Sequence, residues 1–529
     1  MMPLFNFLYR SLAALLVILP VWNGPVRADD TRASRELLTY YLDLVKSGNY
    51  ESACGLWEPA SYARSIRLGI QYNNIPIKPD FNSPVMQEFK LVKSYLPDGV
   101  ISKAIFDSNV VRWKFRAEDS TFTRDHFYFT VVKDGYPWII APADYYTAGW
   151  SLTTTRYFRI YADPKRESEL NSIALNSLDE FVTRTAATLG IVPERRKLLE
   201  ETKIDYYLCN TDLEVEKITG IRDRGVYDPA YDAVVTTFLP HFHEIALLLV
   251  NFRLQHLPPA TQPFIQYGFA TYLGGRWQRS PAVVFDFGEY ILKYKIIDID
   301  SILTFNDFHN LEGGDVSYPV SSCLVEYLYE QLGLENFLAL YGRLAGDRET
   351  IMTMTADTVR SIITDAVNMD WEQFNAGFQS FLEERGRRAG LIIPGQIEAD
   401  QPVLENSGLR ISTSDKWLQV VYQDADSTVG DITFLFDRCP ELDSLKSMLF
   451  EEQFRGSRKF PGFRYGIRLD RNEIGLYDYA ANQIKAKYIA DPESSGIYYD
   501  PDKNRVTAYF GLDLLDGALP QKDNYQIIK

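Results

Sequence analysis

The segment His241-Phe242-His243-Glu244-Ile245-Ala246-Leu247, followed by Phe264-Ile265-Gln266-Tyr267-Gly268-Phe269-Ala270-Thr271-Tyr272, decides how the middle of this chain is read. The first piece opens an apolar run from Phe238 to about Gln255, which predicts a long helix stopped before Pro258-Pro259. On a helix, residues i and i+4 share a face. Histidines at those positions, with a glutamate after the first, can hold zinc while the carboxylate polarises a bound water. His243 and Glu244 keep that arrangement, but Leu247 stands at i+4 and has no lone pair to offer. His241 is two positions from His243 and does not share its face, His256 lies about three turns or more away, and His309 falls in a loop-like stretch.

Working outward, Arg156 to Tyr161, Lys203 to Cys209 and Asp232 to Thr236 read as strands, with a helix from Leu170 to Val182 between the first two. Helices dominate afterwards: Val320 to Leu332, Leu334 to Leu344 and Trp371 to Glu384. This order, and the 19 residues between Leu247 and Tyr267, resemble a gluzincin (peptidase MA-like) domain over residues 155–388. In that family a second helix supplies a glutamate ligand within Trp-x-x-Glu-Gly-x-Ala-x-Tyr. Here Gly268, Ala270 and Tyr272 match, and Tyr267 replaces the metal-binding glutamate. The stretch DVSYPVSSCLVEYLYEQLGLENFLALYGRL (315–344) is similar to the family's tyrosine-bearing helix, with Tyr318 at the matching position. The resemblance thus implies former ligand positions at His243, Leu247 and Tyr267, vestigial catalytic candidates at His243, Glu244 and Tyr318, and two of three ligands lost. A catalytic zinc needs three protein ligands before water takes the fourth position. No metal or other cofactor is therefore expected, zinc entering only under an alternative reading with atypical ligands.

Residues 31–150 read as a separate α+β unit. Ser34 is expected to cap a helix carrying Leu37, Leu38, Tyr41, Leu42 and Val45 on one face. Tyr50 to Trp57 begins a second helix. Val111 to Phe115 and His126 to Lys133 are strands, and Asp134-Gly135 makes a hairpin turn to Trp138-Ile139-Ile140. The phrases YYLDLVKSGNYESACGLW (40–57) and FYFTVVKDGYPWII (127–140) resemble the nuclear-transport-factor-like (SnoaL-like) cone. His126, on a strand, reads as structural.

Residues 389–411 read as a Pro-, Gly- and Gln-rich linker. Residues 412–529 read as a β-sandwich, with strands at Trp417 to Tyr422, Ile432 to Phe436, Tyr465 to Leu469, Ile474 to Tyr479, Ile497 to Tyr499 and Val506 to Phe510. The expected class is multidomain α+β: a cone, a mainly helical gluzincin-like domain with a small sheet, then the sandwich. The aromatics Trp417, Tyr465, Tyr477, Tyr479, Tyr498 and Tyr499 open a carbohydrate-binding reading, although core packing explains most of them and strand neighbours such as Tyr498 and Tyr499 face opposite ways.

Residues 1–28 have the form of a secretory signal peptide: Arg10, an apolar run from Ser11 to Trp22, then Val26-Arg27-Ala28. This predicts export to the periplasm or beyond. Cleavage would take the net charge of −16 to −18, because it removes Arg10 and Arg27 and no acid. An acidic chain repels phosphate backbones, so nucleic acid is not an expected partner. No later stretch reaches the 18 apolar residues that would suggest a membrane span. Cys54, Cys209, Cys323 and Cys439 show no CxxC spacing, which argues against a cysteine zinc site and leaves open a Cys209–Cys323 disulfide or buried thiols. The expectation that follows is an exported, non-catalytic binding or interaction protein on a degenerate metallopeptidase scaffold, its peptide, protein or glycan ligand unidentified. An active zinc metallohydrolase with unusual ligands and a carbohydrate-associated protein are the alternatives.

Overall fold

The computed structural model describes residues 28–87, 92–105, 108–118, 123–276, 279–293, 295–311 and 316–389. Beyond these it describes 401–406, 409–413, 417–423, 432–439, 462–469, 474–480, 483–487, 495–500, 505–516, 518–521 and 524–528. The signal-peptide reading at 1–27 lies outside the described residues. The chain mixes helix and sheet, its strands distributed over several separate small sheets. Among the described residues no helix is long and apolar enough to cross a membrane.

Contacts divide the chain into two units, Met1–Ser61 with Lys90–Ala148, and Tyr62–Phe89 with Gly149–Lys529. In the first, helix α1 (Ala28–Lys46) begins before Ser34. Ser34 is fully buried inside the helix, so it does not cap it. Leu37, Leu38, Tyr41, Leu42 and Val45 form the buried stripe expected from their spacing. Tyr41 meets Trp57 and Tyr128 edge-on. Strands β1 (Val92–Ile105), β2 (Ser108–Glu118), β3 (Thr123–Lys133) and β4 (Tyr136–Ile140) form an antiparallel sheet in sequence order. Asp134 and Gly135 both have positive φ (53° and 80°), which a two-residue hairpin of this hand requires. Buried Trp113 donates Nε1–H to Thr130 Oγ1 at 2.9 Å. His126 is partly buried and edge-on to Tyr128.

In the second unit, β5 (Ser151–Thr154), β6 (Phe158–Ala162), β7 (Ile204–Leu208), β8 (Gly225–Asp228) and β9 (Ala233–Thr236) form one mixed sheet in the order β5-β6-β7-β9-β8. β6, β7 and β9 run parallel, and β8 returns antiparallel along β9 as the edge. The segment Tyr62–Phe89 is packed here although a boundary near residue 150 places it earlier. Gln71–Tyr72 pairs with His256–Leu257, Arg67 meets buried Asp205 at 3.0 Å, and Asn82 donates to Asp228 at 2.9 Å.

Helices α2 (Phe242–Leu254), α3 (Pro263–Gly274), α4 (Pro281–Lys293), α5 (Phe305–Asn310), α6 (Ser317–Arg343) and α7 (Trp371–Ala389) follow. α2 starts four residues later than its apolar run, after a cis Leu239–Pro240 bond. α6 is broken at Gly333 (φ 67°, ψ 172°), between the two helices expected there. Cys209 and Cys323 are buried and form no disulfide.

Beyond residue 400, two five-stranded antiparallel sheets share one buried cluster, with Ile411, Leu418 and Val420 from one sheet and Phe434, Tyr465 and Ile467 from the other. Gln401–Asn406, inside the stretch read as linker, is a strand paired with Leu409–Thr413. Residues 390–400 of that linker lie outside the described residues. Tyr465, Tyr477 and Tyr479 are core side chains and offer no exposed sugar platform. The side chains of Trp417, Tyr498 and Tyr499 lie outside the described residues.

Candidate functional site

The helix α2 is apolar nearly all round, and it is buried from His243 to Phe252. That burial carries His243 and Glu244 inward with Leu247: the three are only 1%, 4% and 5% exposed. Gly274 lets α3 approach the first turn of α2. A Cβ there would lie 2.6 Å from the Phe242 carbonyl carbon. Directly after it, the Gly275 carbonyl reaches His243 Nδ1 at 3.3 Å, with Thr271 Oγ1 at 3.4 Å. The Thr271 hydroxyl already donates to the Tyr267 carbonyl, so both neighbours of Nδ1 are acceptors and Nδ1 carries the proton. Nε2 is left as a buried lone pair with no partner among the described residues. Burial first, then the Arg276 charge, pushes the His243 pKa well below the ordinary imidazole value, so the ring is neutral.

Aromatic rings surround that lone pair. Tyr267 stacks on His243 at 6.3 Å between centroids, Tyr318 lies 5.8 Å from it, and the two tyrosine rings are 5.3 Å apart. Phe308 of α5 closes on both tyrosines at 5.9 and 5.4 Å. Leu247 belongs to the surrounding core. The structure thus brings together His243, Glu244, Tyr267 and Tyr318, four of the residues singled out by sequence. It does not bring in the other histidines. His241 is turned toward Thr236, with its pKa lowered to about 3 mainly by burial. His256 and His309 are exposed.

Sequence reasoning missed Arg276. Its guanidinium Cζ sits 3.9 Å from the Tyr318 ring centroid, and Nη1 is 3.7 Å from Glu244 Oε1. A cation over an aromatic face is favourable, and beside a buried carboxylate it offsets part of the cost of burying that charge. In sequence, Arg276 reads only as a basic residue after a helix end, a common way to satisfy the helix dipole. Tyr227 was missed as well. Its backbone N–H donates to Glu244 Oε2 at 2.7 Å. In the β8–β9 ladder Thr237 N–H bonds Arg224 O, so the alternating pattern turns the Tyr227 N–H outward, to the free edge. Glu244 therefore holds the edge strand by its backbone.

Burial raises the Glu244 pKa to about 7, with Arg276 as the main opposing influence. Its folded value lies above the unfolded one, so its contribution to stability is lost as pH rises from about 4.5 through about 7. Replacing Arg276 by methionine removes the opposing charge and carries that loss to higher pH. The expected result is a destabilisation about 1–2 kcal/mol larger at pH 8 than at pH 5. Urea unfolding at the two pH values checks this, and equal losses would contradict it.

These side chains do not fit a zinc site. One imidazole nitrogen is available, and Leu247 has no donor atom. Burial raises the Tyr267 phenol pKa, so it stays protonated, and a guanidinium already neutralises Glu244. Among the described residues no group of three or more His, Cys, Asp or Glu converges. What the arrangement supplies is a packed aromatic cluster, a carboxylate–guanidinium pair and an edge strand beside them. No known family model matches the chain, and a search of curated proteins returns no match.

Proposed function

We propose that this chain is an exported, non-catalytic binding protein whose central domain has a gluzincin-like scaffold with a degenerate metal site, flanked by a nuclear-transport-factor-like cone and a C-terminal β-sandwich. The observation that carries the reading is Arg276. Its cation lies beside Glu244, the position from which a metallopeptidase carboxylate would polarise metal-bound water, and Leu247 and Tyr267 add no ligand. The supporting feature for binding is that β8 ends its sheet, the position at which an extended peptide can add through main-chain hydrogen bonds, with the Glu244 contact to the Tyr227 N–H as the one such a peptide would displace. Export rests on the form of residues 1–28.

The second reading, a metallohydrolase with atypical ligands, is favoured by one observation: the unpartnered Nε2 of His243, whose other nitrogen is anchored on a carbonyl as in metal-bound histidines. Incubating the mature chain with added zinc and a mixed-sequence peptide library separates the two. The expected outcome is intact peptides. Cleavage that Glu244→Gln abolishes would overturn the proposal.

A further inference from the structure

A cavity of about 200 Å³ lies away from His243, between α3, α4, α6 and α7. Its apolar wall is Pro281, Ala282 and Phe285, with Ser322 buried beside them. Two polar groups converge on it. Glu326 is only 6% exposed, and its carboxylate has one partner among the described residues, Arg385 Nη1 on Oε1 at 2.5 Å. The second carboxylate oxygen is left without one. The Tyr272 hydroxyl makes no hydrogen bond to any described residue. The Ser322 hydroxyl is committed to the Pro319 carbonyl and is not available.

The charge around the cavity has a sign. Glu326 and Glu330 act on the Tyr272 hydroxyl against Arg385, and Glu330 acts on Glu326 against the same arginine. Arg385 already uses the pocket as a cation would: its guanidinium lies 4.3 Å over the Phe285 ring while it pairs with Glu326. The remaining volume equals that of about six or seven liquid waters, enough for a ligand of some seven to ten heavy atoms.

We propose that this cavity is a binding site for a small primary amine with a short apolar body. The ammonium would donate to the free Glu326 oxygen and to the Tyr272 hydroxyl, and the body would lie against Phe285, Pro281 and Ala282. A carboxylate ligand would have only Arg385, itself already paired, and would face the surplus of acids. A neutral alcohol would bring no charge to the second Glu326 oxygen, which Arg385 does not contact.

Titration calorimetry of the full mature chain with three near-isosteres tests this: 2-phenylethylamine, 2-phenylethanol and 3-phenylpropanoate. Burial raises Glu326 to about 7, so the titrations are run at pH 8. The expected result is saturable binding of the amine, at least tenfold weaker binding of the alcohol and none of the carboxylate. Glu326→Gln should weaken the amine at least tenfold. Tyr272→Phe, which keeps the ring packing, should weaken it several-fold even if the glutamine variant folds poorly. Three outcomes overturn the site: no saturable binding of the amine, equal affinity for amine and alcohol, or preference for the carboxylate.

Discussion

Replacing Lys78 by methionine is expected to destabilise the second unit by about 3–5 kcal/mol, the cost of stranding one charge of a buried pair. Lys78 is 7% exposed and Asp232 0%, and Nζ lies 2.5 Å from Oδ2. The ammonium also donates to the Ile70 carbonyl at 2.7 Å. On its other side Asp232 accepts from the Tyr227 hydroxyl at 2.9 Å, and that hydroxyl meets Tyr72 at 2.8 Å. Burial lowers the Lys78 pKa and raises that of Asp232, so each charge persists because of the other. In the variant, Asp232 must either stay ionised without its ammonium, keeping the Tyr227 hydroxyl alone as a hydrogen-bond donor, or take up a proton. Its folded pKa then lies further above its unfolded value. The deficit should therefore grow as pH rises from 4 to 8. Urea unfolding of Lys78→Met at both pH values reads the effect. Adding Asp232→Leu removes both charges and should recover most of the loss, because a well-packed apolar pair often substitutes for a buried ion pair. A single variant within about 1 kcal/mol of the parent would mean that the pair does not anchor residues 62–89.

Gly274→Val is the second large effect. A Cβ at Gly274 would lie 2.6 Å from both the carbonyl carbon and oxygen of Phe242 and 2.9 Å from the His243 nitrogen. These are backbone atoms of α2 and cannot swing aside as a side-chain end would. The two helices must separate, at an expected cost of about 3 kcal/mol. Separation also withdraws the Gly275 carbonyl from His243 Nδ1. The ring then loses the contact that fixes its proton, and the imidazole resonances of His243 should shift in NMR spectra of histidine-labelled protein. Unchanged stability and unchanged resonances would show that α2 and α3 do not approach as closely as described.

Much of the local structure was legible because single residues dictate it. Asp134-Gly135 leaves few options for a hairpin, Gly333 breaks α6 at a left-handed φ, and alternating residues gave the strand at Val111 to Phe115. That position 247 offers nothing to a metal could be read directly, since leucine has no donor atom. What stayed hidden depends on distant partners. Arg67, Lys78 and Asn82 carry no periodic signal, and each finds its carboxylate well over a hundred residues away. β8 is four residues long and begins with Gly225, too short for a pattern to register. Ser34 looks like a cap until α1 is seen to begin earlier. Arg276 has the same appearance whether it meets solvent at a helix end or Glu244 in the core.

That last contact is tested most directly by the zinc content of the purified chain from Asp29 onward. Wild type and His243→Ala are measured side by side by elemental analysis. The account predicts zinc near background in both, with the guanidinium of Arg276 serving as the cation of the site. Near-stoichiometric zinc in the wild type that disappears in His243→Ala would contradict it.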